Sequence, residues 1–263
     1  MLLLTGLFMA LGARINVIHY EDRFVAVNKP AGISTHRNKD TGRRRVMTTQ
    51  LQRQFRRKVF PAHRLDHRTS GCIIFGFDGE AAHQCHERLA EGEKEYLALL
   101  RGCDWPSDDD EVVVEKEVKG DNGVYRPAVT TFRRLASQED PRCTLVLAMP
   151  KTGRPHQIRK HAQFLSMPII GDSKHGDSKV NRWWRESRGL DRLALHCLSI
   201  RLPRTDDAEE RTLVAPLLDD DLATALKREP LWEAALRLDP RLDALPVDVR
   251  SGSLGDRPAD RPS

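Results

Sequence analysis

The sequence lacks an apolar run long enough to cross a lipid bilayer. Short apolar stretches occupy residues 2–4 and 7–11, and no charged residue precedes them. A transmembrane helix needs about 20 apolar residues, and a secretory signal begins with a basic segment. We therefore predict neither a membrane span nor a signal peptide, and no binding to a membrane.

Cysteine is scarce as well. The five cysteines are odd in number, lie far apart and include no C-x-x-C pair. This pattern favours reduced thiols and a cytoplasmic location over a disulfide framework. His83, Cys85 and His86 lie close together, but their spacing fits no common zinc site and no second ligand cluster complements them. We therefore predict no metal site.

Charge is only slightly unbalanced over the whole chain. There are 43 Lys and Arg residues against 38 Asp and Glu residues, which gives a net charge of +5. The positive excess lies in residues 1–202, and the remainder is mildly acidic. A basic body suits a polyanionic partner such as RNA, although many proteins of this charge bind none.

The strand and helix patterns indicate one α+β domain. No internal repeat is present, and 263 residues with 39% hydrophobic side chains can bury one sizeable core. The patterns predict two strands within 15–28, further strands at 72–75, 94–101, 112–118, 128–135, 143–149 and 193–202, and helices at 79–91, 155–165, 217–225 and 230–238. We expect a mixed or antiparallel central β-sheet flanked by helices and loops.

The two ends of the chain depart from this pattern. We interpret residues 1–14 as an extension that is disordered or that reflects a start codon placed too early, with Met9 as an alternative start. Residues 15–238 form the predicted catalytic domain. Residues 239–263 are predicted to be a flexible tail, because Gly, Ser, Pro and charged residues dominate its end.

The segment most suggestive of chemistry is Ala62–Gly71, AHRLDHRTSG. It places Asp66 between Arg64 and Arg68, so the carboxylate should stay ionised at neutral pH. The Thr-Ser-Gly sequence that follows favours a tight bend before an apolar strand, which would put Asp66 on a loop at the edge of a rigid scaffold. Taken alone, an aspartate between two arginines is more often a structural ion pair.

This segment resembles the catalytic loop of the RluA-type pseudouridine synthases, whose aspartate lies in an HRLD-x-x-TSG stretch. Two more segments resemble that family in the same order. Lys94–Gly102, KEYLALLRG, is similar to its K-x-Y strand, and Pro150–Arg159, PKTGRPHQIR, is similar to its TGR-x-HQ-[IL]-R segment. Three ordered motifs rarely coincide by chance. The resemblance extends over residues 15–230.

The resemblance implies that the protein isomerises uridine to pseudouridine in RNA, within a domain that has a central active-site cleft. It implies that Asp66 is catalytic and that Arg159 is its ion-pair partner. Tyr96 and Ile158 would hold the target base, and Arg64 would fill the gap that the flipped nucleotide leaves in the RNA stack. The reaction changes no oxidation state, so no cofactor is expected.

A finer resemblance concerns the substrate. Residues 168–177, with residues 181–182 and 193–196, are most similar to family members that modify uridine 65 of tRNA. We therefore expect tRNA as the partner of a monomer that needs no other protein. The alternatives are a relative that acts on ribosomal RNA or on another tRNA site, an RNA-binding protein without catalysis, and a metal-dependent nuclease. The nuclease is disfavoured because no carboxylate cluster has metal-binding spacing.

Overall fold

The computed structural model describes residues 14–37, 45–120, 122–218 and 220–244. Residues 1–13, which make up most of the predicted N-terminal extension, lie outside the described residues. So do residues 245–263 of the predicted tail.

The described residues form strands and helices that alternate irregularly along the chain. In chain order they are β1 (Asn16–Tyr20), β2 (Phe24–Lys29), α1 (Met47–Phe55), β3 (Phe60–Pro61), β4 (Ser70–Gly76), α2 (Gly79–Glu91), β5 (Glu93–Arg101), β6 (Glu111–Glu115), β7 (Val118–Lys119), β8 (Tyr125–Arg126), β9 (Val129–Glu139), β10 (Arg142–Pro150), α3 (Gln157–Phe164), α4 (Ser178–Arg188), β11 (Leu195–Leu202), β12 (Arg211–Val214), α5 (Asp221–Leu226) and α6 (Leu231–Leu238). A 3-10 helix, Pro240–Asp243, follows α6.

One large sheet organises the domain. It has ten strands in the order β1-β2-β4-β11-β5-β10-β9-β6, with β3 paired to β4 and β12 paired to β11. Strands β4 and β11 run parallel, whereas β2 pairs with β4, and β5 with both β11 and β10, in antiparallel fashion. Helix α2 packs on β4, and α6 packs on β9. This arrangement confirms the predicted α+β fold with a mixed sheet.

The middle of the sheet is the hydrophobic core. Every residue of β2 and of β4 is buried, and β10 is buried from Cys143 to Ala148. Strands covered on both faces read as nearly continuous apolar runs rather than as alternating patterns. The sequences FVAVNK of β2 and SGCIIFG of β4 have this character. The loop that carries Asp66 therefore ends on a fully buried strand, and the loop that precedes α3 follows β10.

Helix α2 has the bounds that the sequence predicts. The carboxylate of Asp78 accepts a hydrogen bond from the Ala81 N–H at 2.7 Å, which is an N-cap. The buried stripe of the helix includes Ala82, Cys85 and Leu89, which recur at helical spacing. A cap and a periodic apolar face are local signals, so this element could be predicted accurately.

The flexible tail is predicted to start at residue 239, but residues 240–243 form a 3-10 helix. The 3-10 helix Pro240–Asp243 is capped by Asp239, which accepts the Arg241 N–H at 3.1 Å. The Arg241 guanidinium also donates to Glu95 on β5, and Leu242 is only 1% exposed. Composition indicates flexibility only toward the end of the tail, although the predicted tail includes residues 240–243. Contacts with β5 and with the hydrophobic core hold this segment against the domain. Such contacts between distant residues cannot be predicted from the local sequence.

The bend predicted at Thr-Ser-Gly is instead the start of β4. Ser70 and Gly71 pair with His196 and Cys197 of β11. Gly71 has a φ of +109°, and a Cβ atom there would lie 2.2 Å from the Cys197 carbonyl oxygen. Glycine is needed both for this backbone conformation and for the close approach of the two strands.

We expect Gly71→Ala to lower the free energy of unfolding by about 3 kcal/mol or more, because the new methyl group meets backbone that cannot move aside and the φ is strained for alanine. Denaturant unfolding measures the change. Gly79→Ala is the matched control, since its Cβ would meet no atom within 4 Å and alanine suits a helical position. Equal stability of the two variants would contradict this account of the β4–β11 junction.

Candidate active site

Two adjoining cavities open beside the loop that precedes β4. The first has a volume of about 220 Å³ and mainly polar walls, and the second, of about 160 Å³, is also lined by apolar side chains. The residues that line both cavities are Arg64, Leu65, Asp66, His156 and Arg159. Asp66 therefore lies at the junction of two different environments.

The backbone of the Asp66 loop is firmly held. The Gly32 N–H donates to the His67 carbonyl at 2.8 Å, and the Thr69 N–H donates to the Asp66 carbonyl at 3.1 Å. The hydroxyl of Thr35 accepts the Leu65 N–H at 3.3 Å. Because the backbone is fixed on both sides of Asp66, its carboxylate, which is 24% exposed, projects from a rigid loop.

Lys29 lies beneath this loop and is fully buried. Its ammonium donates to the carbonyls of Ile33 at 2.8 Å and of His67 at 3.4 Å. The pKa of Lys29 is lowered to about 7, mainly by burial and then by the charge of Arg192, while the charge of Asp66 opposes both. The protonated form of Lys29 therefore adds positive potential behind the Asp66 carboxylate.

Arg159 approaches Asp66 from helix α3. Its Nη1 lies 3.1 Å from Asp66 Oδ2, while its Nε and Nη2 each lie 2.7 Å from an oxygen of Asp172. Burial alone would raise the pKa of Asp172, but the hydrogen bonds and charge of Arg159 outweigh burial and lower it. The Arg159 guanidinium thus bridges two carboxylates, one fully buried and one facing the cavities.

The second cavity has an aromatic wall and an apolar wall. Tyr96 lies on β5, paired with Cys197 of β11 and Ala148 of β10, and is 9% exposed. Burial, and then the neighbouring Cys197, raise the pKa of Tyr96 well above its usual value, so the phenol is neutral. Ile158, in the first turn of α3, lines the same cavity. A flat ring and a branched side chain suit a planar ligand.

Gln157 fixes the loop that forms a third wall of this cavity. Its Oε1 accepts from the Thr152 hydroxyl at 2.7 Å and from the Arg154 N–H at 3.1 Å. Its Nε2 donates to the Val129 carbonyl at 2.9 Å and to the Thr130 hydroxyl at 3.0 Å. The buried amide uses both its donors and both its acceptor positions. The wall is therefore tied to β9.

Arg64 is exposed where the two cavities meet the surface. Its guanidinium makes no hydrogen bond within the part of the chain that the structure describes. Arg68, by contrast, donates to the Asp191 carbonyl at 2.7 Å. Arg64 is thus available to an anionic or planar ligand that enters the cleft.

The comparisons with known proteins agree with this geometry. A family model described as RNA pseudouridylate synthase matches residues 23–164. The chain belongs to this family of RNA pseudouridine synthases. The match confirms the resemblance to the RluA-type enzymes and identifies the chain as an RNA pseudouridine synthase.

Individual relatives match the synthase over most of its length. It is 34% identical over 226 residues to tRNA pseudouridine synthase C of Haemophilus ducreyi, a match that covers 78% of this chain and 91% of the relative. It is 33% identical over 245 residues to tRNA pseudouridine synthase C of Vibrio cholerae, covering 86% and 99%. The solved structure of human RNA pseudouridylate synthase domain containing 4 superposes with a TM-score of 0.62 at 25% identity, covering 90% of this chain and 95% of that chain.

All five residues that the resemblance singled out lie together in the synthase. The residues Asp66, Arg64, Tyr96, Ile158 and Arg159 line the second cavity. His63 of the same HRLD motif has a different role, because its Nε2 accepts the Ile74 N–H at 3.2 Å. Burial lowers the pKa of His63 to about 3, so this histidine is a neutral structural acceptor.

Helix α3 begins later than the sequence predicts. The predicted first residue is Pro155, but the helix begins at Gln157. His156 adopts a left-handed conformation, with a φ of 56° and a ψ of 23°, which a right-handed helix cannot include. His156 therefore lies before the helix. Its Nε2 is 3.8 Å from Asp66 Oδ2, and its Nδ1 is 3.1 Å from His175 Nε2.

Sequence reasoning missed three residues of this site, Asp172, His156 and His175. Asp172 and His175 lie between α3 and α4 in a turn rich in Gly, Asp and Lys, which by itself indicates only a loop. The available signal was that this turn belongs to the segment used for the finer resemblance, and that His156 belongs to the TGR-x-HQ segment. Neither signal shows which atoms meet in space.

The described part of the chain shows no group of three or more His, Cys, Asp and Glu side chains that could hold a metal ion. Nor is any helix of that part long and apolar enough to cross a membrane. All five cysteines are free.

We expect Asp172→Asn to lower the free energy of unfolding by about 3–5 kcal/mol, because it leaves the buried Arg159 charge without its bidentate partner. Denaturant unfolding at pH 7 measures this loss. Asp110→Asn is the control, since Asp110 pairs with Arg134 at the surface and its loss should change stability little.

The same variant has a predicted pH dependence. The pKa of Asp172 is lower in the folded protein than its usual value of 3.8, so its ionisation stabilises the fold above that pH. That contribution is lost as the pH falls through the lowered pKa. The stability difference between wild type and Asp172→Asn should therefore shrink below about pH 4, and a constant difference down to pH 2 would argue against the bridge.

Proposed function

We propose that this synthase converts uridine 65 of tRNA to pseudouridine, with Asp66 as its catalytic residue. The observation that carries the proposal is the setting of the Asp66 carboxylate. It lies where a polar and a partly apolar cavity meet, and Arg159 binds its Oδ2. Within the described residues Oδ1 has no hydrogen-bond partner, which leaves it available to a substrate.

The reaction explains why a carboxylate belongs at this junction. The bond between N1 of uracil and C1′ of ribose breaks, the base turns over, and C5 bonds to C1′. The hydrogen of C5 then leaves as a proton, and N1 gains a proton. The carboxylate of Asp66 either attacks C1′ or removes a proton from C2′, and both routes need it beside the sugar. Reactants and products have the same oxidation state, so the reaction itself needs no cofactor. The detached uracil must stay in place until it rejoins the sugar.

The second cavity supplies that containment. The neutral Tyr96 ring would stack on the base, and Ile158 would contact its edge. Stacking and apolar contacts suit a base that has to rotate, because they hold the base without fixing one orientation. The more polar first cavity, which Asp66 also lines, would accept the ribose and its phosphates.

A stacked uridine must first leave the RNA helix to reach Asp66. The exposed Arg64 guanidinium is well placed to enter the RNA stack at the position that the uridine leaves. Arginine has a planar cationic group that stacks on bases as well as pairing with phosphates.

The choice of tRNA rests on the relatives named tRNA pseudouridine synthase C, whose similarity covers most of this chain. The choice of uridine 65 rests on the finer resemblance of residues 168–177. A tRNA substrate would place the protein in the cytoplasm, where it would act as a monomer. A relative that acts on ribosomal RNA or on another tRNA site is the competing possibility.

We expect Asp66→Asn to slow pseudouridine formation at least about 10³-fold, because the amide can neither attack C1′ nor accept a proton. Release of tritium from tRNA labelled at C5 of uridine measures turnover, and filter binding measures affinity. Affinity should stay within a few-fold of wild type. Asp104→Asn, an exposed surface change, is the control. Turnover by Asp66→Asn at the wild-type rate would refute the catalytic role.

The position of the modification is tested on tRNA itself. With unmodified tRNA transcripts, we expect one pseudouridine, at position 65, and no tritium release when that uridine is replaced by cytidine. Chemical mapping of pseudouridines locates the product. Modification of ribosomal RNA with no modification of tRNA would overturn this substrate while leaving the RNA isomerase activity in place.

A further inference from the structure

Two histidine rings meet beside Asp66. Nδ1 of His156 lies 3.1 Å from Nε2 of His175, and the ring planes are 77° apart. The other nitrogen of His156, Nε2, lies 3.8 Å from Oδ2 of Asp66. The three side chains therefore form a chain that runs from the turn between α3 and α4 to the Asp66 carboxylate.

The backbone of His156 is strained in order to place its ring there. A left-handed conformation, here with φ at 56°, costs a residue with a Cβ roughly 1–2 kcal/mol, and Gly or Asn adopts it more readily. The His156 side chain makes no capping hydrogen bond to helix α3 that would offset this cost. Strain of this kind points to a use for the side chain itself.

The protonation states of the two rings follow from their partners. Burial, and the cations Arg159, Lys174 and Lys160, lower the pKa of His156 below its usual value, while the Asp66 charge raises it. Burial likewise lowers the pKa of His175 to about 4, with Asp172 opposing. Both rings are therefore neutral at pH 7. One nitrogen of each ring then carries a proton and the other accepts a hydrogen bond.

We propose that His156, held by His175, is a positioning residue for Asp66 in the isomerisation. His175 donates its Nε2 proton to His156 Nδ1, which leaves the proton of His156 on Nε2, facing Asp66 Oδ2. This inference rests on the proposed function, because it assigns a role to His156 in the same reaction.

As a consequence, the two oxygens of the Asp66 carboxylate have different roles. Nη1 of Arg159 lies 3.1 Å from Oδ2 of Asp66, and Nε2 of His156 lies 3.8 Å from the same oxygen. The longer distance exceeds a hydrogen bond, but such contacts commonly tighten when substrate binds. With Oδ2 held by two donors, Oδ1 is the oxygen presented to the ribose. A neutral imidazole orients the carboxylate without neutralising its charge, whereas a second cation would neutralise it.

His156→Asn is the sharpest test. Asparagine tolerates the left-handed backbone, but its amide is too short to reach Asp66. We expect kcat to fall about 10- to 100-fold, because a small displacement of a reacting group has an effect of this size. KM for tRNA and the melting temperature should stay close to wild type. His175→Ala should change kcat in the same direction by a smaller factor.

His156→Gln is the matched rescue variant. Its amide nitrogen extends to about the place of the imidazole Nε2, so it can still donate to Asp66. We expect it to recover most of the activity that His156→Asn loses. His83→Ala, which changes an exposed histidine on α2 paired with Glu87, is the control and should leave kcat unchanged.

Histidine NMR titration gives a readout that does not depend on turnover. In the free protein, Asp66→Asn should lower the pKa of His156 further, because the carboxylate is the group that raises it. An unchanged pKa of His156 would show that the two side chains do not interact and would overturn the pairing.

The kinetic outcomes are equally decisive. Wild-type kcat in His156→Asn, or equal losses in the Asn and Gln variants, would overturn the positioning role. A raised KM with wild-type kcat would assign His156 to RNA binding instead. If the wild-type protein modified no RNA, the proposed function would fail, whereas the NMR titration would still decide whether His156 and Asp66 form a pair.

Discussion

The site depends on how the Arg159 guanidinium is divided between two carboxylates. Asp172 takes the bidentate edge, with two contacts of 2.7 Å, and Asp66 receives a single contact of 3.1 Å. Bidentate pairs are the stronger kind, so Asp172 balances most of the buried charge. Because Asp172 holds the bidentate edge, Arg159 reaches Asp66 only through the contact of Nη1 with Oδ2. The buried pair thus leaves the second carboxylate partly free.

The sheet makes this arrangement possible. Asp66 lies on the loop before β4, Tyr96 lies on β5, and β11 joins these two strands. The close contact of Gly71 with Cys197 sets the distance between β4 and β11, and Cys197 is also the neighbour of Tyr96. The position of the aromatic wall relative to the carboxylate therefore depends on backbone packing in the core. Gln157 ties the remaining wall to β9 in the same way.

The sequence predicted most of what is local. The cap at Asp78 and the motif containing Asp66 could be recognised because their signals lie within a few residues. The left-handed backbone of His156 could not, since proline at residue 155 is a standard sign of a helix start and nothing nearby contradicts it. Nor does the sequence show that Lys29 is buried, or that residues 240–243 pack on the domain. These features depend on contacts between distant segments, and only the folded chain displays them.

In the proposed function, the buried cations would serve the reaction and the exposed cations would serve RNA binding. Lys29 is fully buried and donates to backbone carbonyls, and Arg159, which Asp172 binds, is only 8% exposed. Salt screens such buried charges weakly, so the field at Asp66 should change little with ionic strength. In the proposed function, Arg64 and the other exposed cations would act on phosphates through solvent, where screening and counterion release are large. Any dependence of the isomerisation on salt should therefore arise in RNA binding, while the step proposed at Asp66 should proceed at a nearly constant rate.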